Sequence, residues 1–512
     1  MLTKIRTATL SGVEGSMVTV ETDLHSGIPS LTVVGLADTT IREACQRIKP
    51  AVMNSGYTFP CQRVTVNLAP AGKHKEGSHF DLPIAVGIMT LGWENMSLDD
   101  TAFLGEVSLD GRINRINGAL PLAMSLRKAG IRNIVLPAGN AQEVSVLKDI
   151  NILPAISLSH VMEHISGKNQ ISAYEGKRPS ERKLWDRDFS QVIGQEAVKR
   201  AVMIGAAGNH GLLLMGGPGC GKTMIAKRIP TILPALTYEE MLEITGIYSV
   251  AGLLNESRPI VDTRPFRSPH HTISPTALIG GGRRPRPGEI SLAHRGVLFL
   301  DELGEFDTRT IDAMRQPVED GYISIKRNLE EVTFPSRVMI VAAANPCKCG
   351  NLWDEKKVCT CKPSQIESHI RRLTGPFSDR IDMHIRMNPV SAEELESAEL
   401  RRTAVSSREM RHAVEKAIGL QRERYSGTRF SNNGSLDEQG IERFCSIDEG
   451  CKKLLSSAYD RMGLTMRAYG RLLKVARTIA DLEGEDRICD RHITEALMYR
   501  ISDLSRGGYH MA

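Results

Sequence analysis

Gly211–Thr223 reads GLLLMGGPGCGKT, an apolar run (Leu212–Met215) that passes straight into Gly216, Gly217, Pro218, Gly219, Cys220, Gly221, Lys222 and Thr223. Consecutive large apolar residues bounded by glycine suit a strand buried on both faces. The Gly-x-x-x-x-Gly-Lys-Thr spacing that follows is the phosphate-cradling loop at the mouth of a helix. Its chemistry accounts for each residue type. Glycines let successive backbone N–H groups turn inward around polyphosphate, and a helix N-terminus adds partial positive charge. Lys222 reaches the outer phosphates, and the Thr223 hydroxyl is a natural magnesium ligand. The stretch predicts a parallel α/β domain that binds a nucleotide.

Hydrolysis needs further groups, and the chain supplies them in order. Gly296–Glu302, GVLFLDE, is an apolar strand ending in two carboxylates. Asp301 is placed to hold the magnesium shell beside Thr223, and Glu302 to orient and deprotonate the attacking water. A second buried strand, RVMIVAAAN, ends at Asn345. Its side chain is a candidate γ-phosphate or water sensor; a simple turn former is the alternative. In GPFSDRIDMHI, Arg380 precedes an alternating strand. Two readings stand for it: a finger reaching the neighbouring subunit's nucleotide in a ring, or a salt bridge to Asp379 or Asp382. Near the end, Tyr469, Leu472, Leu473, Ala476 and Ile479 form one helical stripe, with Arg467, Arg471 and Lys474 opposite. Arg467 is the candidate lid contact to the γ-phosphate, with Arg471 one turn further along the same face.

The 512 residues, 41% hydrophobic and 24% charged, exceed one core and predict two to four domains. No apolar window approaches the ~20 residues of a membrane span, and MLTKIRTATLSG lacks the apolar region of a secretory signal. A cytoplasmic location with no membrane partner is expected. A net charge of +5 neither requires nor excludes nucleic acid. Residues 1–170 carry short β-branched runs between helical stretches. Residues 171–188 are polar, charged and aperiodic, as a linker would be. Residues 189–390 hold the nucleotide motifs, and 391–512 read as helix.

Four of the ten cysteines fall in a tight group, Cys347-Lys-Cys349 and Cys359-Thr-Cys361. In a reducing compartment such a group points to metal. Four thiolates complete a tetrahedral Zn2+ site and leave no open position for catalysis, so residues 346–362 are expected to form a structural zinc knuckle. Reduced, unliganded cysteines are the alternative.

The order of the motifs resembles AAA+ ATPases. RPFRSPHHTISPTALIGGGRRPRPGEISLAHRGVLFLDEL (264–303), with LTMRAYGRLLKVARTIADL (464–482), is similar to the magnesium-chelatase-like AAA+ family, and within it to a bacterial group associated with natural transformation. The resemblance covers nearly the whole chain. It implies ATP and Mg2+ as ligands, a homo-hexameric ring, an insertion in the second helix and a hairpin before the sensor strand. It assigns Asn345 as first sensor, Arg380 as a finger given in trans, Arg467 as second sensor, and Val192 and Ile193, in VIGQ, to the adenine pocket. It also implies a helicase that migrates branches during DNA integration, working on single-stranded and branched DNA beside recombination proteins. In related motors the hairpin equivalent to ISIKRNLEEVTFP points into the pore, which makes Lys326 and Arg327 DNA-backbone candidates; from charge alone a solvated tip serves equally well. Gly280–Gly288, GGGRRPRPG, is expected to be a second pore element.

The first 170 residues resemble the proteolytic domain of Lon, through NLAPAGKHKEGSHFDLPIAV and LGEVSLDGRINRINGALPLAMSLRKAGIRNIVLPAGN. Such peptidases pair a serine with a lysine. Here the serine position falls on His79 and the lysine position on Leu120, so a non-proteolytic α+β relative, a scaffold for the ring or for DNA, is expected. A motor for metal insertion into a tetrapyrrole and an ATP-dependent protease are the competing functions.

Overall fold

The computed structural model describes residues 2–93, 98–176, 187–282, 285–327, 330–354, 357–373, 377, 380–397, 404–462 and 464–500. The centre of the expected linker (177–186), Arg283, Arg284, Asp379, the 501–512 tail and the Arg327 side chain lie outside the described residues.

The first layer is a mixed sheet. It uses β1 (Leu2–Ser11), β2 (Glu14–His25), β3 (Ser30–Val34), β4 (Arg63–Ala69) and β5 (Thr101–Phe103). A small hairpin follows, β6 (Glu106–Val107) and β7 (Ile113–Asn114), then β8 (Asn133–Pro137) and β9 (Asn151–Ala155). The main sheet runs β3-β4-β2-β1-β5-β8-β9, with β1 and β2 antiparallel in a register that pairs Ile5 with Val20. Side chains alternate between faces along each strand. Ile5, Val20, Val66 and Phe103 pack with the helices Thr39–Asn54 and Asp81–Met89 on one face. Ala8, Ala102 and Ile134 pack with the helix Ala119–Lys128 on the other.

The second sheet is wholly parallel: β10 (Leu212–Gly216), β11 (Phe266–Arg267), β14 (Val297–Leu300), β17 (Met339–Ala344) and β18 (Met383–Met387), in the order β11-β14-β17-β10-β18. Between β11 and β14 comes a short hairpin, β12 (Gly280–Gly281) with β13 (Arg286–Pro287). Between β14 and β17 comes a longer one, β15 (Tyr322–Arg327) with β16 (Glu330–Pro335). Leu212, Leu214, Phe299 and Val341 face one core and Leu213, Met215, Leu298 and Ile340 the other, so both faces are covered. That burial explains the unbroken apolar runs of the central strands. β11 has only two residues and no such run, and it is held by parallel pairing to Val297 and Leu298.

The two layers are joined by the helix Tyr238–Ala251. Its Leu242 belongs to the core of the first layer. Gly118 N–H donates to the Ser249 carbonyl at 3.0 Å and the Tyr238 hydroxyl to the Val146 carbonyl at 2.9 Å. Buried Glu143 accepts from the Ser249 hydroxyl, from Leu120 N–H at 3.2 Å and from the Asn140 amide at 3.1 Å. Burial pushes this carboxyl above its ordinary value, and these three donors, with the Arg115 guanidinium at 3.4 Å, keep it satisfied inside.

The C-terminal part is helical: Ser407–Arg424, Glu438–Phe444, Glu449–Met462, Met466–Glu483 and Asp490–Met498. The Met466–Glu483 helix starts on a Thr465 cap and stops at Gly484, whose φ of 76° suits glycine. Leu472, Leu473, Ala476 and Ile479 are buried as their spacing predicts. The expected polar face differs. Arg471 turns to Asp382 at 3.5 Å, and Lys474 donates to the Gly434 carbonyl at 3.1 Å. Arg471 and Lys474 are thus engaged by Asp382 and the segment at Gly434 rather than by solvent, and only Arg467 of the three stays exposed.

Candidate nucleotide site

The carboxyl ends of β10, β14 and β17 meet at a cavity of ≈ 370 Å³, lined by Pro218–Met224, Asp301, Glu302, Ala343, Ala344 and Asn345. Parallel pairing is what brings them together: Leu214 sits beside Ala343 and Leu300 beside Ala342, so the three strand tips end at one level. Gly219 and Gly221 have φ of 83° and 86°, a conformation only glycine takes without strain.

Lys222 Nζ donates to the carbonyls of Gly216 at 2.6 Å and Gly217 at 2.8 Å and to Asn345 Oδ1 at 3.0 Å. Desolvation lowers its ammonium below the ordinary lysine value. The Thr223 hydroxyl donates to Asp301 at 2.9 Å. A hydroxyl and a carboxylate joined at the mouth of a phosphate loop are hard oxygen donors of the kind Mg2+ takes alongside phosphate. Glu302 leads into the cavity from a left-handed residue, φ 54°, with its side chain 57% exposed. His369 Nε2 bonds the Asn345 carbonyl at 2.9 Å and so steadies the strand tip from behind.

Three arginines lie elsewhere. Arg380 precedes Met383, and Met383 pairs with Leu212 at the start of β10, whereas the phosphate loop leaves its far end. A five-residue strand spans about 17 Å, so Arg380 is at the opposite pole from its own subunit's cavity. Its guanidinium pairs with Glu319 at 2.7 Å. Asp382, partly buried and held well down, to about 2, despite desolvation, by His210 with Arg471 and Lys474, organises the same pole. There His210 bridges Asp382 (3.2 Å) and the Thr478 hydroxyl (2.7 Å). Arg471 is therefore committed to that pole, and exposed Arg467 is outside the cavity lining. Val192 is buried in the core shared with the C-terminal helices, and neither it nor half-buried Ile193 lines the cavity.

Lys326 stands near the tip of the β15–β16 hairpin, 78% exposed and 3.8 Å from Glu331. The backbone of Arg327 pairs with Glu330. One residue beside the cavity carried no motif signal. His271 Nδ1 lies 3.3 Å from Glu302, on the segment leading to the β12–β13 hairpin, with its ring 4.1 Å from that of His270. Only the paired histidines of SPHH hinted at it.

The four thiols converge. Cys347 Sγ is 3.4 Å from Cys349 and 3.7 Å from Cys359, Cys349 is 3.5 Å from Cys359, and all four lie within 4.8 Å of one another. Zinc–sulfur bonds of about 2.3 Å put tetrahedral sulfurs about 3.8 Å apart, so the spacing fits a tetrathiolate. Backbone N–H groups, that of Asn351 foremost, bring the Cys349 thiol down to about 5, whereas burial pushes Cys347 up to about 12 and also raises Cys359. In the first layer, His79 is buried with Nε2 2.9 Å from the Ala8 carbonyl, and Leu120 is fully buried.

Phosphate loop, carboxylate strand and sensor strand side by side in a parallel sheet define a P-loop ATPase of the AAA+ class. The family model described as "Magnesium chelatase, subunit ChlI" matches residues 188–395, "Subunit ChlI of Mg-chelatase" matches 20–140, and "Magnesium chelatase, subunit ChlI C-terminal" matches 404–500. The chain is 40% identical over 506 residues to the uncharacterized protein YifB of Escherichia coli K12, covering 98% of this chain and 97% of that one. It is 40% identical over 496 residues to the competence protein ComM of Haemophilus influenzae, covering 96% and 95%. Similarity to the magnesium-chelatase 38 kDa subunit of Chlorobaculum parvum is lower, 22% over 340 residues. The chain belongs to the ComM-like branch of the magnesium-chelatase AAA+ family. Among the described residues, no helix is long and apolar enough to cross a membrane.

Proposed function

We propose that this chain is the subunit of a cytoplasmic homo-hexameric ring that spends ATP to move on single-stranded and branched DNA and migrates branches while transforming DNA is integrated. Likeness to the competence protein ComM supports the biological setting. The observation that supports an inter-subunit mechanism is the separation of Arg380 from its own cavity. In this reading Lys222 and the loop N–H groups hold the phosphates, while Thr223 and Asp301 hold magnesium, whose charge offsets that developing on the phosphoryl oxygens. Glu302 takes the proton from the attacking water, Asn345 orients it, and the neighbour's Arg380 stabilises the transferring group. Arg467, facing out, would likewise meet nucleotide only across a seam. Val192 and Ile193 would bound the adenine end.

Lys326 and Arg327 would grip DNA backbone in the pore with the Gly280–Gly288 hairpin, recombination proteins would hand over the strands, and the Lon-like first layer would serve as scaffold. His79 and Leu120 at the positions of serine and lysine favour a scaffold over a peptidase. The Cys347, Cys349, Cys359 and Cys361 knuckle would hold structural zinc. The test is ATP hydrolysis with and without single-stranded and forked DNA, together with DNA binding across a salt series. Stimulation, and a salt slope that falls by roughly 1.5 when Lys326 and Arg327 both become Ala, are expected. No DNA binding at low salt would overturn the motor. Metal insertion in a tetrapyrrole assay would establish the chelatase alternative that the Chlorobaculum parvum relative favours.

A further inference from the structure

The knuckle does more than sit near the nucleotide site. Gly350, between the first cysteine pair and Trp353, has φ of 81°, and a Cβ added there would stand 2.5 Å from Pro218 Cδ. Conversely, a Cβ on Gly217 would stand 3.1 Å from the Gly350 carbonyl oxygen. The knuckle backbone thus lies directly on Gly217 and Pro218 of the phosphate loop. The turn that delivers Gly350 is closed by its own N–H donating to the Cys347 carbonyl at 3.0 Å. A second anchor is Trp353, whose ring lies 5.0 Å from the Arg386 guanidinium. Arg386 is on β18, where it pairs with Met215, next to Gly216 at the root of the loop. A third connection is covalent: Cys347 is two residues on from Asn345, which bonds Lys222. The knuckle therefore touches the loop from above, from its flank and through the sensor strand.

We infer that metal binding at Cys347, Cys349, Cys359 and Cys361 latches the phosphate loop in its nucleotide-binding shape, so that zinc and nucleotide bind cooperatively. The physical reason is order. Without a central ion the second cysteine pair is held to the first by thiol contacts and by Thr360 N–H at the Cys349 sulfur, weak interactions that fix Gly350 loosely. The surface it presses on is made largely of glycine, which has the most conformational freedom to lose. A loop already held in place has less entropy to give up when phosphate binds. Coupling of this kind is reciprocal: the factor by which zinc tightens nucleotide is the factor by which nucleotide tightens zinc. The inference rests on the zinc and nucleotide readings above and deepens both.

The experiment uses the full chain and three readouts: zinc content, affinity for a fluorescent ADP analogue, and the rate of zinc release to a chromogenic chelator. As purified, one zinc per chain and tight nucleotide binding are expected. Stripping the zinc should weaken nucleotide roughly tenfold, and readdition should restore it. Saturating ADP should slow zinc release. Gly350→Ala separates the latch from the metal: all four cysteines remain, so zinc stays, but the added methyl meets Pro218 and nucleotide binding should weaken several-fold. Val358→Ala, at an exposed knuckle position, should alter neither. Far-ultraviolet circular dichroism of stripped protein guards against simple unfolding; loss of helix on stripping would replace the latch with a folding role and overturn it. Equal nucleotide affinity with and without zinc overturns the coupling while leaving both sites standing. A chain that binds nucleotide tightly yet holds no zinc overturns the metal reading, and one that holds zinc but no nucleotide overturns the ATPase reading; the inference falls with either.

Discussion

His271 Nδ1 lies 3.3 Å from a carboxylate oxygen of Glu302. The imidazole belongs to the segment that continues into the β12–β13 hairpin, and the Ile273 carbonyl accepts from Thr310 further along it at 3.3 Å. A carboxylate expected to meet water is thereby tethered to an element expected to meet DNA. His271→Ala should free Glu302 and raise basal ATP turnover roughly two- to fivefold, the worth of one partly exposed pair, while shrinking the further rise on adding DNA. Phosphate release with and without forked duplex measures both.

Glu302→Gln keeps shape and hydrogen bonding but removes the base. Nucleotide affinity should stay within about twofold, because the phosphate-facing groups Lys222 and Thr223 are untouched, while turnover falls at least 10²-fold, the low end for a general base. Single-turnover hydrolysis beside equilibrium binding separates the two effects. Retained hydrolysis would remove Glu302 from the role.

Arg380→Ala subunits mixed with wild type should depress activity more than their share, since each removes a cation from a neighbour's site. A ring of only Arg380→Ala chains should lose about 10³-fold or more in turnover, as arginine fingers do. Loss in simple proportion to the mutant fraction would place Arg380 within its own subunit. The measurement is turnover against mixing ratio at constant total protein.

His79 gives the first layer an acid sensitivity. Its imidazole is lowered to about 4, chiefly by desolvation, with the bond to the Ala8 carbonyl opposing. The unfolded chain binds this proton near 6.5 and the folded chain only near 4, so the associated stability is whole above pH 6.5 and drains away as pH falls toward 4. At most about 3 kcal/mol is involved. Nearby Asp81, pushed up to about 6 by burial against the pull of Arg47, has the opposite slope between its ordinary value and 6. Comparing His79→Gln with wild type cancels that contribution. Urea unfolding at pH 7.5, 6 and 5 should show the variant losing less stability on acidification.

Much of the ATPase half was legible before any coordinates. Leu212–Met215, Val297–Leu300 and Val338–Ala343 announce central strands because burial on both faces requires apolar residues at every position. Lys222, Thr223, Asp301, Glu302 and Asn345 stand at the ends of such runs, and a parallel sheet carries all its strand ends to one edge. Type and order were therefore enough to gather them. β11 left no trace, since two residues carry no period. The polar face of the Met466–Glu483 helix misled for a different reason: periodicity reports that a residue is polar, not whether its partner is water or Asp382.

What the residues alone determined is the chemistry at the phosphates, because it depends on side-chain types at fixed spacings along one short segment. What only the tertiary structure decided is which groups stand at which pole. It set Arg380 and Arg471 a strand's length from the cavity, turned His271 onto Glu302, and pressed Gly350 against Pro218. Each of those relations joins residues far apart in the chain or across a crossover, and packing, which no local pattern encodes, brought them into contact.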